Sequence, residues 1–178
     1  MRSTINIAIV AGVMAGFGCF PMAANAAPIR YECDTADGAN SEIVQQQAGP
    51  NYALQADISA WRFGKHRDRR PGAKIQIKSA DGMNSVGIQL SAGVSKPPAA
   101  AVSLISTNGG EQKQYLVTTV KLGESVRASI RIKDGVVQAE VAGQVADVPV
   151  QIGRSAEVAV GCSTGQFMFD KLSLGAAN

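Results

Sequence analysis

The stretch Ser-Val-Arg-Ala-Ser-Ile-Arg-Ile-Lys-Asp-Gly-Val-Val-Gln-Ala-Glu-Val, residues 125–141, determines the fold class of this chain. Apolar and polar residues alternate strictly from Ser125 to Lys133, which is typical of a half-buried β-strand. Asp134-Gly135 follows at once and favours a tight hairpin turn, because both central residues of that turn need a positive φ. Alternation then resumes from Val137 to Val141. We therefore predict an antiparallel β-hairpin here.

The same period continues outward from this hairpin in both directions. Turn signals rich in Gly, Asn and Asp separate the candidate strands, as expected for short β-connections. The further candidates are residues 54–60, 73–77, 86–90, 102–107, 115–120, 145–150, 157–161 and 166–174. With the hairpin they make about ten short strands, which favour an all-β sandwich or a barrel. Of these two we predict the antiparallel two-sheet sandwich.

Length and composition allow one domain of this kind. The chain has 178 residues, of which 46% are hydrophobic and 17% charged, with a formal net charge of +3. This apolar fraction is too high, and the net charge too low, for an intrinsically disordered chain. We predict a single β-sandwich domain over residues 27–178.

Residues 1–26 have the pattern of a secretory signal peptide. Met1-Arg2 provides a short positive start, residues 5–20 are apolar apart from Asn6, and Ala24-Asn25-Ala26 has the small residues that signal peptidase requires. We expect cleavage, a periplasmic or secreted mature protein, and no transmembrane segment after cleavage. The alternative is an uncleaved membrane anchor.

Two cysteines, Cys33 and Cys162, remain in the expected mature chain. Disulfides persist in exported proteins, so we predict one bridge that joins the two ends of the domain. The alternative is two separately buried thiols.

A basic segment lies between the candidate strands 54–60 and 73–77. The expected mature chain has 16 Lys and Arg against 14 Asp and Glu, because cleavage removes Arg2. This balance disfavours a whole-protein polyanion binder, and the sequence contains no dedicated nucleic-acid motif. Arginine binds carboxylate, sulfate and phosphate through its planar fork. We therefore predict that one segment binds an envelope or extracellular glycan, anionic glycans included, through Trp61, Arg62, Phe63, Lys65, His66, Arg67, Arg69 and Arg70. The alternative is a solvated loop that keeps a sheet edge soluble.

The parity of residues 54–60 predicts the direction of two aromatic side chains. If Leu54 and Ala60 point into the core, Trp61 and Phe63 fall on the polar face of the strand. An exposed Trp beside polar groups is a typical platform for a sugar ring. The alternative is a bulge at Ala60 that turns Trp61 into the core or over a sheet edge.

The second half of the chain resembles a known fold family. The hairpin, the turn at Ala142-Gly143-Gln144 and the terminal segment Gly165-Gln166-Phe167-Met168-Phe169-Asp170-Lys171-Leu172-Ser173-Leu174 are similar to concanavalin A-like or laminin-G-like jelly rolls. The resemblance covers residues 115–174. It implies a jelly-roll sandwich whose last strand lies beside the first, and it implies a fold far more than a function.

An enzymatic alternative rests on one acidic segment. Glu32-Cys33-Asp34-Thr35-Ala36-Asp37 resembles the Glu-x-Asp-x-x-Glu signature of bacterial β-glucanases, but its last acid is Asp, it lies near the mature N-terminus, and it contains the bridging cysteine. The leading hypothesis is a non-catalytic binding module, with no catalytic residue assigned. A glycan-cleaving hydrolase or lyase and a purely structural or protein-binding role are the alternatives.

We predict no cofactor and no metal site from the residue inventory. One His and two bridged Cys cannot supply the tetrahedral set that zinc needs. A structural calcium ion stays open, since oxygen ligands have no fixed spacing. Asp34, Asp37 and Asp170 are its candidate ligands, and their alternative role is turn formation.

Overall fold

The computed structural model describes residues 28–65, 67, 70–93 and 98–177. The predicted signal peptide lies outside these residues. Ten antiparallel strands account for most of the described chain, and the all-β prediction is confirmed. They are β1 (Ile29–Ala48), β2 (Tyr52–Phe63), β3 (Gly72–Ser79), β4 (Ser85–Ala92), β5 (Ala99–Asn108), β6 (Glu111–Lys121), β7 (Ser125–Lys133), β8 (Val136–Val141), β9 (Gln144–Val148) and β10 (Ser155–Gly175).

The ten strands form one hydrogen-bonded sheet that curls over on itself. Its order is β6-β5-β4-β3-β10-β2-β7-β8-β9, and β1 pairs with the other edge of β10. The first half of β10 pairs with β3 and the second half with β2. Two layers result: layer A contains the second half of β1, the first half of β10, and β3 to β6. Layer B contains the first half of β1, the second half of β10, β2 and β7 to β9.

Strands β1 and β10 run through both layers, and both bend where they pass from one layer to the other. The bend in β1 is a register shift between Thr35 and Asn40, with Gly38 at φ 83°. Its counterpart in β10 is Thr164, at φ 52°. The sequence predicted two separate strands, residues 157–161 and 166–174. This expectation is corrected, because the positive φ at Thr164 produces a bend within one paired strand, β10.

A single apolar core fills the space between the layers. The inward residues of β7 are buried as the alternation predicted, from Val126 at 3% exposure to Ile132 at 2%. Layer A contributes the buried side chains Ile75, Ile77, Val86, Ile88 and Leu90, and layer B contributes Leu54, Ile58, Ile130, Phe167 and Phe169. Burial of this apolar surface is the main force that holds the layers together.

The predicted disulfide is present. Cys33 of β1 and Cys162 of β10 are bonded, their Cα atoms are 6.1 Å apart, and 129 positions separate them in sequence. Cys33 belongs to layer B and Cys162 to layer A, so the bond ties the two layers together beside the bend.

Candidate functional site

The outer face of layer A is a polar surface built by strand alternation. Its side chains are the outward members of strands whose inward members form the core. One row across the face joins Glu42 of β1, Gly161 of β10, Lys74 of β3, Gln89 of β4 and Ser103 of β5, each opposite the next in register. Ser103 is buried, so along this row the face presents carboxylate, ammonium and amide groups within a small area.

A depression of about 230 Å³ lies in this face, near the bend. Glycines form part of its lining. A larger residue would not fit at Gly161, because its Cβ would lie 2.5 Å from the carbonyl oxygen of Ser41. The other lining side chains are mostly polar and include Asn40, Glu42, Lys74, Gln89 and Ser163.

Ion pairs and hydrogen bonds organise the polar groups of the face. Lys74 Nζ lies 3.2 Å from Glu42 Oε1, and Lys78 Nζ lies 3.0 Å from Glu157 Oε1. Lys74 also donates to the amide oxygen of Gln76 at 3.2 Å. These side chains are only partly exposed, so their positions are more restricted than those of free surface residues. A ligand rich in hydroxyl groups can both donate to and accept from such a set.

The connection between β2 and β3 is fastened beside this depression. The amide of Gly64 donates to the carbonyl of Thr164 at 2.8 Å, and the amide of Lys65 donates to Asp37 Oδ1 at 3.2 Å. Ser163, which lines the depression, donates from Oγ to the carbonyl of Arg70 at 3.1 Å. The basic segment predicted from the sequence therefore begins at the bend and returns to the depression. Two of its predicted residues, His66 and Arg69, lie outside the described residues.

The two predicted aromatic residues separate at a β-bulge. Ala60 pairs with Phe167 and Arg62 pairs with Gln166, which leaves Trp61 as the extra residue. Trp61 is 56% exposed. Phe63 is half-buried, and its ring meets that of Phe167 edge-on with centroids 5.8 Å apart. The expectation that Phe63 shares the polar face with Trp61 is therefore corrected: the bulge restores the inward direction at Phe63.

Arg62 and the acidic segment of β1 meet on the outer face of layer B. Arg62 Nη2 lies 3.3 Å from Asp34 Oδ1, and Arg30 Nη2 lies 3.4 Å from Glu32 Oε1. Glu32 and Asp34 do share one face of β1, and each carboxylate pairs with an arginine there. The charge of Arg62 is thus partly matched within the protein.

The three acids considered for calcium also have partners within the chain. Asp37 accepts from the amide of Lys65, and Asp170 Oδ1 lies 3.6 Å from Arg30 Nε. Across the described ranges, no group of three or more His, Cys, Asp or Glu side chains is placed to hold a metal ion.

Asp57 is the most perturbed carboxyl on the outer face of layer B. Lys171 Nζ lies 2.8 Å from its Oδ2, and Arg127 Nε lies 3.2 Å from its Oδ1. The hydrogen bond from Lys171, together with Arg127, lowers the pKa of Asp57 although partial burial opposes this. The group links β2, β7 and β10, so we assign it a structural role.

The outer face of layer A could not be recognised as a site from sequence spacing alone. Its residues come from positions 42, 74, 89 and 161, on four different strands. The available signal was the outward half of the alternating strands β3 and β4, which contains Lys74, Gln76 and Gln89.

The described part of the chain contains no helix with the length and apolar character needed to cross a bilayer.

Comparison with known proteins identifies the fold. No protein-family model matches the sequence, and no curated protein matches it. Among solved structures, the alginate lyase from Alteromonas sp. 272 is 11% identical with a TM-score of 0.56, over 82% of each chain. The alginate lyase AlyC3 is 12% identical with a TM-score of 0.58, over 85% of this chain and 75% of its own. The Crh5 transglycosylase is 10% identical with a TM-score of 0.56, over 83% and 72%. The chain therefore has the concanavalin A-like jelly-roll fold.

Proposed function

We propose that this protein is an exported, non-catalytic module that binds a glycan chain on the outer face of layer A. The observation that supports this most directly is the half-buried polar depression beside Gly161, lined by Glu42, Lys74, Gln89 and Ser163. Structural neighbours named for alginate cleavage and transglycosylation share the fold. A glycan is therefore the ligand class that fits both the chemistry of the face and the fold.

The chemistry of the face suits a polyhydroxylated chain. Gln76 Nε2 donates to Ser85 Oγ at 3.1 Å, and Ser85 Oγ donates to Thr107 Oγ1 at 3.1 Å, so side-chain hydrogen bonds already cross β3, β4 and β5. A sugar chain laid over these strands would exchange hydroxyl hydrogen bonds with groups that are already oriented. Preorganised groups lose less conformational entropy on binding than free side chains do.

We further propose that anionic glycans bind better than neutral ones. Lys74 and Lys78 lie on the face, and the connection that includes Lys65, Arg67 and Arg70 returns to one end of the depression. Guanidinium groups at this end would pair with carboxylate or sulfate groups of the chain. We propose that Trp61 and Arg62 of β2 make additional contacts with the glycan chain beyond the bend.

The expected location follows from the bond between Cys33 and Cys162. Disulfides form and persist outside the reducing cytosol, so we propose a periplasmic or secreted protein. Envelope and extracellular glycans are accessible ligands in those places.

The experiment that tests this function is retention of the mature domain on a panel of immobilised polysaccharides. The panel contains alginate, polygalacturonate, dextran, peptidoglycan and lipopolysaccharide, each at low and high salt, with product analysis of the same samples. We expect salt-sensitive retention on an anionic member without new chain ends, because screening weakens exposed charge pairs. Cleavage products would instead establish the enzymatic alternative, and absence of both retention and products would favour a structural or protein-binding role.

A further inference from the structure

A second cavity lies at the opposite side of the sandwich, away from the bend. It has a volume of about 530 Å³ and opens between β5 and β6 of layer A and β9 of layer B. These are the two ends of the curled sheet, where the layers do not close. Its volume is within the range of small-molecule sites, about 300–1,000 Å³.

The inner face of the sheet changes character at this cavity. Elsewhere the buried inward residues are mostly apolar. At this end of β6 the inward residues are instead Glu111, Lys113 and Tyr115, which lie opposite Asn108, Ser106 and Leu104 of β5. Gln144 faces them from β9. Leu104, Val117, Ala146 and Val148 also line the cavity. An apolar lining with a few converging polar groups is typical of a ligand pocket.

The cavity is narrow at one end. Asn108 Nδ2 lies 3.5 Å from the carbonyl oxygen of Pro149, so the two layers touch beyond the end of β9. A long chain or an added β-strand would have to break this contact to pass through this end. The shape therefore suits the end of a chain, in contrast to the open face of layer A.

The polar groups of the cavity favour an uncharged ligand. Glu111 and Lys113 form an ion pair at 3.7 Å, and the further carboxylate in the lining, Asp147, accepts a hydrogen bond from Gln138 at 3.2 Å. Asp147 and Gln138 are outward residues of β9 and β8, so the charges that face the cavity are those of the Glu111–Lys113 pair, which leaves no unpaired cation in the lining to bind a uronate group. Tyr115 is 54% exposed and offers a ring face for stacking.

We infer that this cavity is a second binding site, which takes the terminal mono- or disaccharide unit of a neutral glycan. The ligand class rests on the proposed function, whereas the site and its end-on geometry rest on the cavity itself. A protein with both sites would hold a chain along layer A and recognise a chain end at β6 and β9.

Fluorine NMR of the mature domain tests this inference directly. The chain has three tyrosines, so 3-fluorotyrosine labelling gives three signals, and Tyr115→Phe assigns the one from the cavity. Tyr52 is fully buried and Tyr31 is half-buried, which makes them internal references. The probes are maltose and maltoheptaose, cellobiose and cellotetraose, N,N′-diacetylchitobiose, and digalacturonate as the charged control.

We expect at least one neutral disaccharide to shift only the Tyr115 signal, saturably, while digalacturonate does not. For that sugar, the molar concentration of chains that gives half of the maximal shift should be the same for the longer homologue, because only the chain end enters the cavity. Gln144→Ala should weaken the binding roughly three- to tenfold through the loss of hydrogen bonds. Val136→Ala, an exposed residue outside this cavity, should leave it unchanged.

Three results would overturn the inference: no shift with any neutral probe, a midpoint that falls in proportion to chain length, or equal binding of digalacturonate. This readout is independent of retention on polysaccharides through layer A. A Tyr115 shift without retention would therefore count against the proposed function alone, and retention without a Tyr115 shift would count against the second site alone.

Discussion

Lys74 Nζ and Glu42 Oε1 lie 3.2 Å apart although β10 separates their strands. Gly161 is the residue of β10 that lies opposite both of them, and it has no side chain to keep them apart. The same absence deepens the depression next to the pair. Gly161 thus permits the ion pair and contributes to the shape of the proposed glycan site.

This relationship predicts opposite effects for two substitutions. Glu42→Gln removes the intramolecular partner of Lys74 and should strengthen binding of an anionic glycan about two- to fivefold, whereas Lys74→Ala should weaken it by a similar factor. Isothermal titration at two salt concentrations checks both. Lys133→Ala, an exposed lysine at the end of β7, is the matched control. Equal affinities for all four proteins would exclude Lys74 from the site.

The stability of the sandwich should depend on Asp57 in acid. Its pKa is lowered in the folded state, so it contributes stability that is present above the ordinary value of 3.8 and is lost as the pH falls through the folded value. Asp57→Asn should cost about 1.5 kcal/mol near neutral pH and flatten the decline in stability below pH 4. Urea unfolding at several pH values measures this.

Asp170→Asn is a suitable comparison for Asp57, because Asp170 is more exposed and its pairing with Arg30 is longer, at 3.6 Å. It should cost less than about 1 kcal/mol. An unchanged acid profile in Asp57→Asn would show that this carboxylate does not link the strands as described.

Loss of the disulfide should destabilise the domain strongly. The bond closes a loop of 129 positions, and the loop-entropy model gives about 5 kcal/mol for that length, as an upper figure. The double variant Cys33→Ser/Cys162→Ser should therefore unfold at a lower urea concentration than the wild type. Thiol titration of the denatured wild-type protein should find no free thiol in the mature chain, and two would contradict the bond.

Trp61 and Phe63 should separate binding from stability. Trp61 is exposed at the bulge, so Trp61→Ala should change the free energy of unfolding by less than about 0.5 kcal/mol. Phe63→Ala removes a ring that packs on Phe167 and should cost about 3 kcal/mol. If Trp61 contacts the glycan as proposed, only its substitution lowers affinity without loss of stability.

Local sequence patterns predicted the strands because the β-propensity of the inward residues agrees with their burial in the core. The Asp134-Gly135 hairpin is an example: both residues adopt the positive φ that the turn requires. The bends in β1 and β10 were missed because a positive φ at Thr164 produces a turn or a bend according to whether partner strands continue on both sides. That information is long-range and does not appear in any local window.

The candidate site was harder to predict than the fold. The basic segment is visible because its residues are consecutive, whereas Glu42, Lys74 and Gln89 meet only through strand register. The predicted direction of the Phe63 side chain was wrong for a related reason. A bulge adds one residue to β2 at Trp61, and its presence depends on pairing with β10.

The most direct test of the central claim is equilibrium binding of an anionic polysaccharide to two matched variants. Gln89→Ala/Lys74→Ala alters the outer face of layer A, and Gln55→Ala/Lys133→Ala makes the same changes at exposed positions of layer B. We predict that the first variant loses at least tenfold in affinity, with unchanged unfolding, and that the second binds like the wild type. Equal affinity of both variants, or a loss in the layer B variant alone, would contradict the assignment of the glycan site to layer A.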